Sequence, residues 1–473
     1  MLSLTAAREL LQRHGQEQLL AFYDQLGEVQ RADLLEQIAS IDFPRLDELI
    51  RTHVLARPEV ALPEEILPAP MAPARPTDEP TRSAHAAARR RGEELIAAGK
   101  VAALVVAGGA GTRLGFDGPK GCLPVTPARG KCLFAVFAEQ LLATRRRYGA
   151  AVPWYVMTSP ANDAETRRFF EAHDHFGLPA GDVVFFTQGQ MPAVGLDGKV
   201  LLAEKGRIAQ SPDGHGGCLT ALRRSGALDD MAGRGVEQIS YFQVDNPLVR
   251  CVDPLFLGLH DAAGAGMSAK ALPKRDPLEK LGNFCLVDGK VTVIEYSDLP
   301  EELAFAVGDD GRLKFSAGSI AIHVLTRAFA EELTAGGSCR LPFHRAEKKA
   351  SCLDADGNAV EPDRPNAVKC EMFIFDALPL SARAVILQTF RDEEFSPVKN
   401  ASGADSLATS RHDQVRRAAN WLESAGVEVP RDAEGQIAAV VEISPLLALD
   451  AAQLAERLTR PVTIKPGEEA YLE

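Results

Sequence analysis

The sequence predicts an α/β protein with a doubly wound, mostly parallel, Rossmann-like sheet, a helical N-terminal region and a small C-terminal β domain. Three observations point to this. Between residues 99 and 333, short runs rich in β-branched residues alternate with segments of helical periodicity, the pattern of right-handed βαβ units. The first run, VAALVV at 101–106, leads directly into AGGAGTRLGFDGPKG, as where a buried parallel strand gives way to a loop. The chain has 473 residues, enough for two or three cores.

The elements follow in order. From Leu4 to Leu55 apolar residues such as Leu10, Leu11, Leu19, Phe22 and Leu26 recur at helical spacing among charged ones, which predicts a helical lead-in. Prolines crowd residues 57–80 (Pro58, Pro63, Pro68, Pro70, Pro73, Pro76, Pro80) and predict an extended linker. Helix resumes near Ala84 and ends at Gly99, which closes an N-terminal region at 98. In a central domain over 99–410 the strands are VAALVVAGG, VPWYVMTS, VVFFTQ and ISYFQVDN, and the helices between them KCLFAVFAEQLLATRRR, AETRRFFEAH and GCLTALRRSG. Asp253-Pro254 supplies the cap of the helix after the last strand. The rhythm breaks at 283–299, where β-rich runs flank Asp288-Gly289; that dipeptide predicts a hairpin inserted near the sheet's edge. Over 411–473 we expect one amphipathic helix, Val415 to Ala425, then short strands around VVEISPL and PVTIKP. The arginine runs at 89–91 and 145–147 fall on predicted helices and read as solvated faces.

Composition narrows the partners. The formal net charge is -13, so neither a nucleic acid nor a membrane surface is expected as partner, and any anion site is local. The eight cysteines, Cys122, Cys132, Cys218, Cys251, Cys285, Cys339, Cys352 and Cys370, form no CxxC pair and no metal-ligand spacing. No secretory segment opens the chain and no apolar run approaches the roughly 20 residues of a membrane span. These features predict a soluble cytoplasmic protein with reduced thiols. Nothing in the pattern sets an oligomeric state.

The glycine-rich loop holds the first chemistry. Gly108, Gly109 and Gly111 let a row of backbone N–H groups approach an anion closely. A dinucleotide-binding turn needs G-x-G-x-x-G and an acid about 20 residues on, whereas the glycines here run Gly109, Gly111, Gly115. A Walker loop needs lysine and Ser/Thr directly after its last glycine, but Phe116 follows Gly115. Arg113 and Lys120 flank the loop, and two fixed cations beside a backbone nest point to a polyphosphate. Ligands of open α/β sheets gather at the carboxyl ends of strands; here these ends are GGAGTRLG, TSP, TQGQ and VDN. Asp245 closes the last of these strands; an acid there is commonly a ligand of a divalent metal, which a nucleoside triphosphate requires. SPDGHGG at 211–217 precedes a helix and offers backbone groups able to read a base edge. Lys399 follows the acids Asp392, Glu393 and Glu394 on a loop stiffened by Pro397.

VVAGGAGTRLGFDGPKG, FFTQGQMPAVGLDGKVLL, SPDGHGG, FQVDNPLV, VIEYSDL, FHRAEKK, KCEMFIFD and FRDEEFSPVKNA come in an order that resembles the eukaryotic-type UDP-N-acetylhexosamine pyrophosphorylases, within the wider UDP-sugar pyrophosphorylase family. The resemblance covers most of the chain, from GQEQLLAFYDQL to EISPLL. It implies a nucleotide-sugar transferase fold and a uridylyltransferase that joins UTP to N-acetylglucosamine 1-phosphate, releasing pyrophosphate, with magnesium. It further implies that Gly108 and Gly109 hold the nucleotide, that Arg113 and Lys120 grip the β- and γ-phosphates, and that Gln188 and Gly214 read uracil. By the same resemblance Asp245 lies near the metal, Asn246, Gly282 and Glu295 form the sugar wall, Phe373 packs in the same site and Lys399 binds the phosphate joined to the sugar.

Two departures bear on substrate choice. His215 stands where the family has asparagine in DGNGG, and Ser319 and Ile322 stand where it has the two asparagines of AGNIANH; these positions are expected near the ribose or sugar. A UTP–glucose-1-phosphate uridylyltransferase and a broad-specificity UDP-sugar pyrophosphorylase therefore stay open, as does, from another class, a silent sugar-nucleotide-binding protein.

Overall fold

In a computed structural model, residues 2–56, 63, 65–337 and 339–473 are described; the opening of the proline-rich segment, Pro58 included, lies outside them. The chain divides into two compact units, one of Met1–Leu62, Gln188–Cys218 and Cys339–Asp376, the other of Pro63–Thr187, Leu219–Ser338 and Ala377–Glu473.

In the first unit, helices Leu4–Arg13, Glu28–Ala39 and Phe43–Leu49 form where the apolar spacing predicts. Ser3 and Asp42 cap two of them by accepting from the amides of Ala6 and Arg45. Their apolar faces, including Leu11, Leu34, Ile38 and Phe43, share one core with Phe22 of the intervening segment and with Val194, Val200, Leu202, Ile208, Val368 and Cys370. A three-stranded antiparallel sheet, with Ala367–Met372 between Phe343–Lys348 and Val194–Gly195, completes it. Segments 188–218 and 339–376, expected inside the central domain, thus pack with the N-terminal helices. Their short strands supply the apolar surface that those amphipathic helices need to bury.

The second unit is built on a ten-stranded sheet: β1 (Leu67–Pro68), β2 (Val101–Val106), β3 (Trp154–Thr158), β4 (Val183–Thr187), β5 (Gln238–Gln243), β6 (Met267–Pro273), β7 (Asn283–Val287), β8 (Lys290–Ile294), β9 (Ala317–Thr326) and β10 (Ile386–Gln388). β4, β3, β2 and β5 lie side by side and parallel. The chain runs outward from β2 through β3 to β4 and returns on the other side of β2 as β5, so the strand order reverses between β2 and β5. Ligands of doubly wound sheets bind at such a switch point. Beyond β5 the sheet continues with β9, which pairs antiparallel with β5, β6 and β7.

Helices Leu133–Tyr148 and Asp163–Ala172 connect β2 to β3 and β3 to β4. Phe134, Phe137, Trp154 and Phe170 fill the core beneath them. Helices Glu79–Ala97 and Pro254–Ala263 approach backbone to backbone: a Cβ on Gly92 would lie 1.8 Å from the Pro254 carbonyl oxygen, and one on Gly258 1.7 Å from that of Ala88. The first of them starts earlier than its expected onset at Ala84 because Asp78 caps it, accepting from the Thr81 amide. The insertion hairpin forms as β7 and β8, turning through Asp288 and Gly289, both at positive φ, as a type I′ turn requires.

The C-terminal segment holds helices as well as strands. Ser406 caps a helix over Leu407–Ser424, eight residues ahead of the expected start. Val440–Ile443 pairs in parallel with Glu469–Leu472, and a short helix covers Ala451–Arg457. PVTIKP forms no strand; Pro461 and Pro466 lack the N–H a ladder needs, and pairing falls on the EAYL that follows. Among the described residues no cysteine pairs in a disulfide. Among the described residues no helix is long and apolar enough to cross a membrane.

Candidate functional site

The glycine-rich loop leaves β2 at the switch point. The Val106 carbonyl accepts from the Val244 amide, at the end of β5, at 3.2 Å, and the Met157 carbonyl of β3 accepts from Ala107 at 2.8 Å. The loop folds back on itself, with the Gly111 amide donating to Gly118 at 2.9 Å and the Lys120 amide to Gly109 at 3.1 Å. Lys120 is thereby anchored at the mouth of the nest, and Arg113 sits in the short helical turn Thr112–Leu114. Arg113 is exposed, Lys120 half-buried and Gly109 exposed with open space beside its Cα. Among the described residues neither cation has a side-chain hydrogen bond or a carboxylate partner. Asn162, which sequence reasoning missed, is buried and braces the loop: its Nδ2 donates to the carbonyls of Ala107 (3.0 Å) and Gly109 (3.5 Å), and its Oδ1 accepts from the Ser159 amide. Its place directly after the strand end TSP was the available signal.

Across the switch point, Asp245 follows β5. Its carbonyl accepts from the Val398 amide at 2.8 Å, which sets Lys399 beside the VDN loop. The Asp245 carboxylate is half-buried and has no side-chain partner among the described residues. Lys399 is exposed, its ammonium 5.8 Å from the Phe395 ring centroid, and makes no ion pair among the described residues. Asn246 is buried with its amide already engaged: Nδ2 donates to the Glu394 carbonyl at 2.6 Å, and Oδ1 accepts from the amides of Leu248 and Ser396. These bonds tie the VDN loop to the segment that presents Lys399. That segment rests on a buried cluster in which the Lys270 ammonium reaches Asp253 and Glu394 at 2.6 Å each, with all three side chains at most 7% exposed. Burial alone would raise the Asp253 carboxyl, but the Lys270 ammonium and Arg250 guanidinium hold it below the usual carboxylate range.

Gly282, Glu295 and Ser319 do come together. The Ser319 amide donates to the Gly282 carbonyl at 2.8 Å, and a Cβ on Gly282 would lie 3.4 Å from Glu295 Oε1. Ser319 is half-buried, and its hydroxyl has no partner among the described residues. Ile322 belongs to the hydrophobic core at 3% exposure, because β9 bulges against β6 there and Ala321 takes positive φ. A second missed residue is Lys274, buried at 8% exposure, whose ammonium donates to Asn283 Oδ1 and the Pro277 carbonyl at 3.0 Å each. Burial lowers its pKa. In KRDPLEK it reads as an ordinary loop charge.

The remaining candidates belong to the first unit. Gln188 Nε2 donates to the Gly214 carbonyl at 2.8 Å. Gly214 has φ +86°, and a Cβ there would lie 2.3 Å from the Met372 carbonyl oxygen, so only glycine fits. Phe373 stacks on two imidazoles, its ring centroid 5.2 Å from that of His215 and 4.4 Å from that of His344, with the ring planes nearly parallel. His344, also missed, is within 2.7 Å of Asp376. Phe373, expected at the sugar, thus groups with the nucleotide candidates. Burial, with His344 nearby, pushes His215 down to about 4, so its ring is neutral at pH 7. The Ile374 amide donates to His215 Nδ1 at 3.2 Å, which places the proton on Nε2 as a free donor.

The second unit therefore gathers an open backbone nest, three cations without carboxylate partners and a bare carboxylate at the carboxyl ends of parallel strands, the equipment of an α/β protein that handles polyphosphates. Known proteins agree. Residues 71–426 match the model of the family described as UTP–glucose-1-phosphate uridylyltransferase. The chain is 39% identical to human "UDP-N-acetylhexosamine pyrophosphorylase-like protein 1", over 95% of this chain and 93% of that one. It is 34% identical to the UDP-N-acetylglucosamine pyrophosphorylase of Saccharomyces cerevisiae, over 90% and 92%. Among solved structures, the uridine diphosphate N-acetylglucosamine pyrophosphorylase of Trypanosoma brucei superposes with a TM-score of 0.81 at 27% identity, covering 100% of this chain and 99% of that one. The chain belongs to the UTP–glucose-1-phosphate uridylyltransferase family.

Among the described residues no three His, Cys, Asp or Glu side chains are grouped as metal ligands. The single carboxylate of Asp245 suits Mg2+, which keeps waters and completes its shell with substrate phosphates.

Proposed function

We propose that this protein is a uridylyltransferase that forms UDP-N-acetylglucosamine and pyrophosphate from UTP and N-acetylglucosamine 1-phosphate. The observation that carries the reading is the pair of acid-free cations, Arg113 and Lys120, beside an open glycine backbone at the switch point. The backbone at Gly108 and Gly109 holds the nucleotide, Gln188 and Gly214 read uracil, and the neutral His215 offers its Nε2–H beside Phe373. Lys399 binds the phosphate of the sugar 1-phosphate, while Gly282, Glu295 and Ser319 line the sugar. An oxygen of that phosphate attacks the α-phosphorus of UTP in line; the bond from the α-phosphorus to the bridging oxygen breaks, and pyrophosphate leaves against Arg113 and Lys120. No protein nucleophile is required, and the chain contributes orientation and neutralisation of charge. Asp245 would hold Mg2+, which shields the phosphates' charge. Eight cysteines without a disulfide among the described residues support a cytoplasmic location.

A second reading, transfer to glucose 1-phosphate as well, is favoured by the short, unpartnered Ser319 hydroxyl in the sugar wall. The presence together of Arg113, Lys120, Asp245 and Lys399 disfavours a silent binding protein. Isotope exchange tests the main reading: with Mg2+ and UDP-N-acetylglucosamine, labelled pyrophosphate should appear in UTP, and no exchange would refute uridylyl transfer.

A further inference from the structure

The sugar wall rests on a buried polar contact that the transfer itself does not use. Asn283, the first residue of β7, is fully buried in the run LGNFCLV, and a buried amide needs partners for both its ends. Its Oδ1 accepts from the Lys274 ammonium at 3.0 Å, and its Nδ2 donates to the Ile294 carbonyl at 3.2 Å. That orientation is forced, because an ammonium only donates and a carbonyl only accepts. Lys274, directly after β6, is held in turn: its amide donates to the Ser316 carbonyl at 2.8 Å and its ammonium also to the Pro277 carbonyl at 3.0 Å. It has no carboxylate partner among the described residues.

Asn283 and its strand partners are the chain neighbours of the three wall residues. Asn283 pairs with Ile294 of β8 on one side and with Gly318 of β9 on the other. Gly282 precedes Asn283, Glu295 follows Ile294 and Ser319 follows Gly318. The stem of Lys274 packs against Gly318, where an added Cβ would lie 3.3 Å from Lys274 Cγ. One amide thus pins β7 to β8 at the level where the wall forms, and the buried ammonium pins both the amide and the neighbouring turn of β9. The glycine-rich loop leaves another part of the sheet, since β9 and β5 lie between β7 and β2.

Given the uridylyltransferase reading, we propose that Asn283, anchored by Lys274, is a positioning residue that sets the spacing of Gly282, Glu295 and Ser319, and with it the affinity for the sugar 1-phosphate but not for UTP. Initial-rate kinetics with each substrate varied in turn, alongside thermal unfolding, test it. Asn283→Ala and Lys274→Gln should each raise KM for N-acetylglucosamine 1-phosphate about tenfold, the order of one hydrogen bond lost from a binding site, and change KM for UTP less than about twofold. The double variant should stay near about tenfold, because both substitutions break one chain of bonds. A merely structural role would lower the folded fraction and kcat and leave the ratio of the two KM values unmoved. If Asn283→Ala does not fold, Lys274→Gln decides by the same ratio. An unmoved ratio in a folded variant, an equal rise in both KM values, or a double variant near about a hundredfold, as independent sites would give, overturns the proposal. A wild type that forms no UDP-N-acetylglucosamine would overturn the uridylyltransferase reading itself, and the proposal with it.

Discussion

Replacing Lys120 by alanine separates catalysis from folding. The Lys120 ammonium has no intramolecular partner among the described residues, and what fixes the residue in place is its backbone amide, bonded to the Gly109 carbonyl at 3.1 Å. Truncation to Lys120→Ala keeps that bond and orphans no buried group, so the stability change should stay within about 1 kcal/mol. What the truncation removes is an ammonium whose grip tightens as charge builds on departing pyrophosphate. Removing one such charge-assisted donor raises a barrier by about 2 to 4 kcal/mol, which is about 30- to 900-fold in rate. Single-turnover formation of UDP-N-acetylglucosamine measures the rate, and thermal unfolding measures the fold. Lys120→Arg, which keeps the charge, should recover part of the activity. A Lys120→Ala protein that turns over at near wild-type rate, or one whose inactivity follows a collapse in melting temperature, would refute the reasoning.

Lys399→Ala should impair synthesis and pyrophosphorolysis alike, because the phosphate it binds is present in both the sugar 1-phosphate and the UDP-sugar; initial rates in the two directions check this. Ser319→Asn should move the ratio of kcat/KM toward N-acetylglucosamine 1-phosphate and away from glucose 1-phosphate, since an amide restores a partner whose absence costs about 1 to 3 kcal/mol. His215 is held down to about 4 in the folded protein, against an ordinary value of about 6.5 when unfolded. Between those values the unfolded chain takes up a proton that the native site refuses, so stability falls as pH drops from about 6.5 toward 4. Denaturant titrations across that interval should show a shallower fall in His215→Asn than in wild type.

The parallel half of the sheet was legible because each of its strands is an apolar run bounded by glycine, proline or a polar turn, and the hairpin because Asp288-Gly289 has one favoured conformation. What stayed hidden was long-range. Nothing local in VVFFTQGQMPAVG or FHRAEKK says that the chain leaves the large sheet to pack on Phe22 and Leu34. The site was legible where chemistry stands in the open, as with Arg113 and Lys120 flanking glycines. It was less legible where a side chain's partner matters: nothing local says that the amide of Asn246 is engaged with Glu394, Leu248 and Ser396, and Lys274, which drew no notice in the sequence, is buried by the fold against Asn283. Phe373 was placed by resemblance alone, and only the fold shows it stacked on His215 and His344.

Pyrophosphate release from UTP and Mg2+ with a panel of sugar 1-phosphates tests the central claim most directly. Release should depend on the sugar 1-phosphate, run with highest kcat/KM on N-acetylglucosamine 1-phosphate and remain measurable on glucose 1-phosphate. UTP binding without release on any member of the panel would contradict the account and leave a sugar-nucleotide-binding protein in its place.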